Sequence, residues 1–343
     1  MRILFTLFSI CWVSITQVAW GQTAKISKVK FFGDDTLLKA TLVTNMSKLI
    51  KEKMKGNYQP ATFSCQLPEG TLIKEQIRIE ARGHFRRDYC YLPPLKLNFR
   101  TASSPRLSPL SSLKLVCACR AADQFDQYLL KEYLVYKIYN LLTKKSFKVR
   151  LIQVNFEDSL GKKKPFSQHA FLVENEKELA KRSKSIVWTK GKVYTEATNR
   201  KQMTLVALFE YMIGNTDWSV PTPHNMKFIQ PKKDSTAKPF VIPYDFDYSG
   251  LVNAMYAVPD KNLGTESVRQ RVYRGFPRTI AELTAALQVF KKQKESIYAL
   301  INHFDLLLPK NQREMIAYLD EFYELIENPA EVKSIFIDNA RKQ

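Results

Sequence analysis

The chain has 343 residues, 45% hydrophobic and 12% aromatic, which suits one large or two smaller packed domains and excludes global disorder. Its 53 Lys and Arg against 33 Asp and Glu give a formal charge of +20 and call for an anionic partner: nucleotide, acidic or phosphorylated protein, polyanionic glycan or lipid surface. Nucleic acid also fits the charge, but no nucleic-acid motif is visible.

Met1-Arg2 precedes an apolar run from Ile3 to Trp20, and Ala19 and Gly21 are small. This pattern predicts a secretory signal peptide over residues 1–21, cut before Gln22. No later apolar stretch reaches membrane length, so the mature chain is expected to be exported (periplasmic, cell-surface or secreted) without a membrane span. Cys65, Cys90, Cys117 and Cys119 then remain for disulfides. Cys117 and Cys119 lie two apart on a predicted strand and face the same way, so each is expected to pair with Cys65 or Cys90.

Residues 28–43 read as a hairpin or two strands, and the basic stretch 46–56 as a solvated connection. Strands are predicted at Ala61–Gln66, Gln76–Ala81 and Pro94–Phe99. The last two flank Arg82-Gly-His-Phe-Arg-Arg87, a loop suited to cradling phosphate oxygens. A strand at Leu113–Cys119 turns Lys114 away from Leu113 and Leu115. A helix over about 124–142 follows, carrying Glu132. A strand lysine followed by a helix glutamate is how kinases position nucleotide phosphates. Strands at 149–155 and 168–173 and an exposed helix at Glu176–Lys184 complete a strand-rich first half. Beyond about residue 190 the chain is predicted mostly helical, with segments at 203–213, 280–307, 311–327 and 329–340 around a 226–250 hairpin.

The apolar helix at 203–213 runs into Gly214-Asn-Thr-Asp217; Asn225 follows, and a strand ends in Asp245-Phe-Asp247. So spaced, these groups can converge on one cleft. Phosphoryl transfer needs a carboxylate to orient the attacking hydroxyl and hard oxygen ligands for magnesium, which Asn225, Asp245 and Asp247 would supply.

Six elements in order resemble the CotH family of secretory-pathway atypical kinases over roughly residues 76–250. They are Arg82-Gly83 with Pro94-Leu95-Lys96, Leu130-Lys-Glu132-Tyr133, Phe171-Leu-Val-Glu174, Gly214-Asn-Thr-Asp217, His224-Asn225 and Asp245-Phe-Asp247. The resemblance implies an α+β, protein-kinase-like two-lobed fold, with a strand-rich N-terminal half and a helix-rich C-terminal half. Its parts would be a β-rich extension at 22–75, an N-lobe at 76–190 and a helical C-lobe at 191–343 with the catalytic hairpin. It implies ATP with Mg2+ or Mn2+ and a protein hydroxyl as acceptor. Asp217 would orient that hydroxyl, and Asn225, Asp245 and Asp247 would hold metal. Arg82 and either Lys96 or Lys114 would contact phosphates, with the lysine steadied by Glu132, and Glu174 would close the adenine-side linker. His84-Phe85-Arg86-Arg87 departs from the polar run that many members carry there. The alternative is a secreted, inactive kinase-like scaffold that binds an acidic partner through its basic surface.

Overall fold

The computed structural model describes residues 29–67, 70–105 and 107–342. The predicted signal peptide and its cut before Gln22 lie outside them. The first half contributes β1 (Leu38–Thr44), α1 (Met46–Lys51), β2 (Gln59–Gln66), β3 (Leu72–Ala81), α2 (Phe85–Tyr89), β4 (Leu95–Asn98) and β5 (Ser112–Cys117). Helix α3 (Asp123–Leu142), β6 (Val149–Asp158), β7 (Phe166–Val173), α4 (Glu176–Arg182) and β8 (Ser185–Val187) follow. The remainder holds α5 (Arg200–Met212), β9 (Met226–Pro231), β10 (Phe240–Pro243), α6 (Ile280–Asn302), α7 (Pro309–Leu325) and α8 (Pro329–Lys333).

The expected two-lobed kinase-like architecture is not what the chain adopts. Among the described residues, seven strands close into a barrel in the order β1-β2-β3-β4-β5-β7-β6, and β6 returns to β1. The closing pair is parallel, from Leu38 opposite Ile152 to Thr44 opposite Asp158, whereas the other pairs are antiparallel. Closure satisfies the backbone groups that an open sheet would leave along its edges. It also gives the barrel a core of its own. Inward positions alternate along β2, and Phe63 meets Phe31 and Phe99 edge-on while those two lie tilted on each other, with centroids 5.7–6.4 Å apart. Ile79, Leu97 and Phe156 complete that interior, each fully buried.

A second core forms where α3 crosses the outside of β6 and β7. Helix α3 is covered nearly all round, because the barrel lies on one side and the C-terminal helices on the other. Helix α5 is likewise buried, and β8, β9 and β10 form a separate three-stranded sheet in the order β10-β9-β8. Among the described residues no helix is long and apolar enough to cross a membrane.

Candidate functional site

Asp217 owes its place to the end of α5. Asn199 caps the start of that helix, accepting from the Gln202 N–H at 3.0 Å, and Gly214 ends it at φ +64°. Any side chain at Gly214 would collide with the Tyr318 hydroxyl, which also packs on Gly250, and the Gly250 N–H donates to the Gly214 carbonyl at 3.0 Å. The turn leading to Asp217 is thereby tied to the turn that follows Asp247. The Asp217 N–H donates to Asn215 Oδ1 at 3.0 Å, and Asn215 Nδ2 donates to the buried Glu210 carboxyl at 2.9 Å. Burial pushes the Glu210 acid up to about 8, with Asn215 and Arg274 opposing the rise.

Both oxygens of the half-buried Asp217 are engaged: Oδ1 with His224 Nε2 at 2.8 Å and Oδ2 with Asn225 Nδ2 at 2.9 Å. Asn225 also donates to the Asp217 carbonyl at 2.8 Å. Asn225 sits at φ +52° before β9, and its carbonyl accepts from the Tyr244 N–H at 3.0 Å just after β10. The next residue, Asp245, takes φ +69° and donates its N–H to the buried Tyr136 hydroxyl of α3 at 2.8 Å. Asp and Asn tolerate this left-handed conformation better than other residues with side chains.

One carboxylate oxygen each from Glu132 on α3, Asp245 and Asp247 lies within 4.8 Å of the other two. Arg86 on α2 is enclosed with them. Its Nη1 stands 3.1 Å from Glu132 and 3.6 Å from Asp247, while Nη2 donates to the Cys117 carbonyl at 2.6 Å. Burial and the neighbouring Asp247 hold the Glu132 acid well above the usual range, against the pull of Arg86. Burial likewise pushes Asp247 up to about 6, with Asp245 and Asp217 adding to the rise and Arg86 and the adjacent Tyr256 hydroxyl opposing it. Three carboxylates face one guanidinium, and Glu132 Oε1 and Asp247 Oδ2 are buried with no hydrogen-bond partner. Hard oxygens with this spread and this residual negative charge fit a divalent cation such as magnesium or calcium.

Lys114 lies on β5 with its ammonium 4.2 Å from the centre of the Tyr244 ring. Burial pulls it down to about 7, the positive field of Arg82 pulls in the same direction, and Asp245 opposes them. Arg82, Lys114, Glu132, Asp217, Asn225, Asp245 and Asp247 therefore gather in one region. Two other expected residues do not join it. Lys96 pairs with Glu80 at 2.8 Å and lies over Tyr58, so its charge is already met. Glu174 takes two bonds from Arg182 at 2.8 Å and one from the Lys148 N–H at 3.0 Å, which makes it a clasp for α4.

The partner of Glu132 is accordingly Arg86 and not a strand lysine. Arg86, Tyr136 and Tyr256 belong to the site although no sequence pattern singled them out for these contacts. The Arg82–Arg87 loop was the available signal, since a buried arginine needs a buried acid. No protein-family model matches the chain, and no curated protein matches it either.

Proposed function

We propose that this chain is an exported phosphotransferase that moves the γ-phosphoryl group of ATP to a protein hydroxyl with Mg2+. The observation that carries the proposal is the buried Glu132–Asp245–Asp247 cluster, in which three carboxylates share the single guanidinium of Arg86 and Glu132 Oε1 is left without a hydrogen-bond partner. Bound there, the metal would neutralise charge on the phosphate oxygens.

The remaining parts belong to the chain. Lys114 and Arg82 would receive phosphate oxygens, and an anion there would draw Lys114 back to its charged form. Asp217 orients the acceptor hydroxyl, whose oxygen attacks the γ-phosphorus as the bond to the leaving ADP breaks. The hydroxyl proton passes to the Asp217 carboxylate, beside which His224 stands at 2.8 Å. The fold need not be that of a kinase for this chemistry, because the catalysis lies in positioning and charge.

One observation favours the alternative of an inactive scaffold binding an acidic partner. His224 and Asn225 already occupy both Asp217 oxygens, as a purely structural turn lock would. Calorimetric ATP titration with magnesium, run beside phosphate transfer to a generic protein acceptor, separates the two. Asp217→Asn should lower turnover about 10²–10⁴-fold while ATP still binds. Asp245→Asn should weaken magnesium-dependent ATP binding itself. A wild-type protein that binds no nucleotide at any magnesium concentration leaves the scaffold in its place.

A further inference from the structure

A pocket of about 290 Å³ opens where the end of β5 meets the start of β7. Arg120, Lys163 and Lys164 line it together with Tyr91, Leu92 and Phe166, and none of its lining residues is acidic. The three cations come from two separate turns. Arg120 follows β5, and the lysines sit in the β6–β7 connection. Their side chains contact rings and a phenol, while the backbone N–H of Lys163 donates to the Asp158 carboxylate. The Arg120 guanidinium lies 5.0 Å from the Tyr89 ring centre and 5.6 Å from that of Phe125, and Lys163 Nζ reaches the Tyr91 hydroxyl at 3.5 Å. Among the described residues none of the three side-chain charges forms an ion pair with a carboxylate.

The Tyr91 and Arg120 walls of the pocket are fixed to each other. The Cys90–Cys119 disulfide joins the residues just before Tyr91 and Arg120, and the Tyr91 N–H donates to the Cys119 carbonyl at 3.0 Å. With that wall held covalently, its backbone loses little freedom when an anion enters. Its position is equally telling. Tyr89 and Phe125, under Arg120, both pack on Tyr256, with centroids 5.8 and 6.4 Å away, and the Tyr256 hydroxyl lies against Asp247. Two rings in succession, Tyr89 or Phe125 and then Tyr256, thus separate Arg120 from the carboxylate cluster. An extended peptide covers ~3.3 Å per residue, so both places lie within reach of a few consecutive residues.

We propose that this pocket binds an anionic side chain of the acceptor peptide, a carboxylate or a phosphate monoester, a few residues from the hydroxyl that is phosphorylated. The identity of the peptide as acceptor rests on the phosphotransferase reading; the binding of an acidic peptide does not. The aromatic wall and the small volume suit one side chain of an extended segment, and the charge selects its sign.

The test titrates fluorescent serine peptides into the intact mature protein without nucleotide, at low salt and at 0.3 M. The peptides carry Glu, phosphoserine or Gln at three and four residues from the serine. Wild type should prefer the Glu or phosphoserine peptide to the Gln peptide at least tenfold, and added salt should erode that preference. Which of the two anions binds tighter identifies the physiological source. The double variant Lys163→Glu, Lys164→Glu should lose at least tenfold in affinity, and Arg120→Ala several-fold. Lys201→Glu, the same kind of charge change on α5, should stay within twofold of wild type. Thermal melts establish that these surface variants are folded. Equal losses for Lys201→Glu and the double variant, or no preference over the Gln peptide, would overturn the proposal. ATP titration of the same proteins keeps the two readings apart. Peptide discrimination without any nucleotide binding removes the phosphotransferase and leaves the pocket assigned, whereas ATP binding without discrimination does the reverse.

Discussion

Glu210 shows how a single buried acid makes stability depend on pH. Its folded-state value of about 8 stands above the ordinary 4.5, so the folded protein holds a proton that the unfolded chain releases. The cost of that mismatch is absent below pH 4.5, grows between 4.5 and 8, and is constant above. Across that window the slope approaches about 1.4 kcal/mol per pH unit. Glu210→Gln keeps an oxygen to accept from Asn215 and removes the titration. Its melting temperature should therefore rise relative to wild type as pH goes from 5 to 8, and a gap that stays constant would show that Glu210 ionises freely. The site was legible in part at this scale. Asp217, Asn225, Asp245 and Asp247 stand in a spacing that residue chemistry alone brings to one cleft. What the spacing could not show is that Glu132 joins the Asp245–Asp247 carboxylate cluster, because its counter-ion, Arg86, comes from a segment 46 residues earlier in the chain. Nor could it separate Lys96 from Lys114. Both leave neighbouring strands opposite each other, and only the presence of Glu80 beside Lys96 decides between them.

At the scale of elements, the disulfide fixes the connection between α2 and β4 to the end of β5. It was one of the pairings left open by sequence, and Cys65 and Cys117 are buried and take no part in it. Cys65 points into the barrel from β2, while Cys117, on β5, is buried with its thiol pushed up to about 12 by burial. The bridge spans 29 residues, and its chain-entropy contribution is roughly 3–4 kcal/mol. Cys90→Ala with Cys119→Ala should lower the urea midpoint accordingly, and an unchanged midpoint would mean that α2 is held by Arg86 alone. Most elements were readable from periodicity. The helix at 124–142, the strands from 61 to 173 and the helices after 280 all appear within a few residues of their expected bounds. Two short helices were not. Helix α1 lies in a stretch read as a polar, basic connection, but Met46 and Leu49 stand three apart within it and are buried in the barrel core, which holds the helix in place. Helix α2 is five residues long and is set by its packing, with Phe85 and Tyr89 stacked 5.1 Å apart.

For the whole molecule, the feature that sequence did not reveal is closure. Strand content alone is compatible with an open sheet or a barrel, and the seam joins β1 to β6 across more than a hundred residues with no local pattern to announce it. Thr41 is the place to probe it, since it pairs with Ser64 on one side and Asn155 on the other, with its side chain on the outer surface. Thr41→Pro removes a ladder donor in mid-sheet and should cost ~3 kcal/mol or more, read as a lower urea midpoint. A midpoint equal to wild type would show that the β1 ladder at Thr41 contributes nothing to stability.

The same seam sets a schedule for folding. Strands β1 and β2 are made first and can pair with each other at once, but β1 has to wait for Val149–Asp158 before its other side is covered. Contacts so distant along the chain carry a loop-closure cost that must be met before they return any stability, so barrel completion should be the slow step of folding. Through that delay the outer side of β1 is an uncovered strand, able to pair with the same strand of another copy. The moment of greatest risk for this protein comes before β6 arrives, and anything that shields β1 in that interval would raise the yield of folded chains.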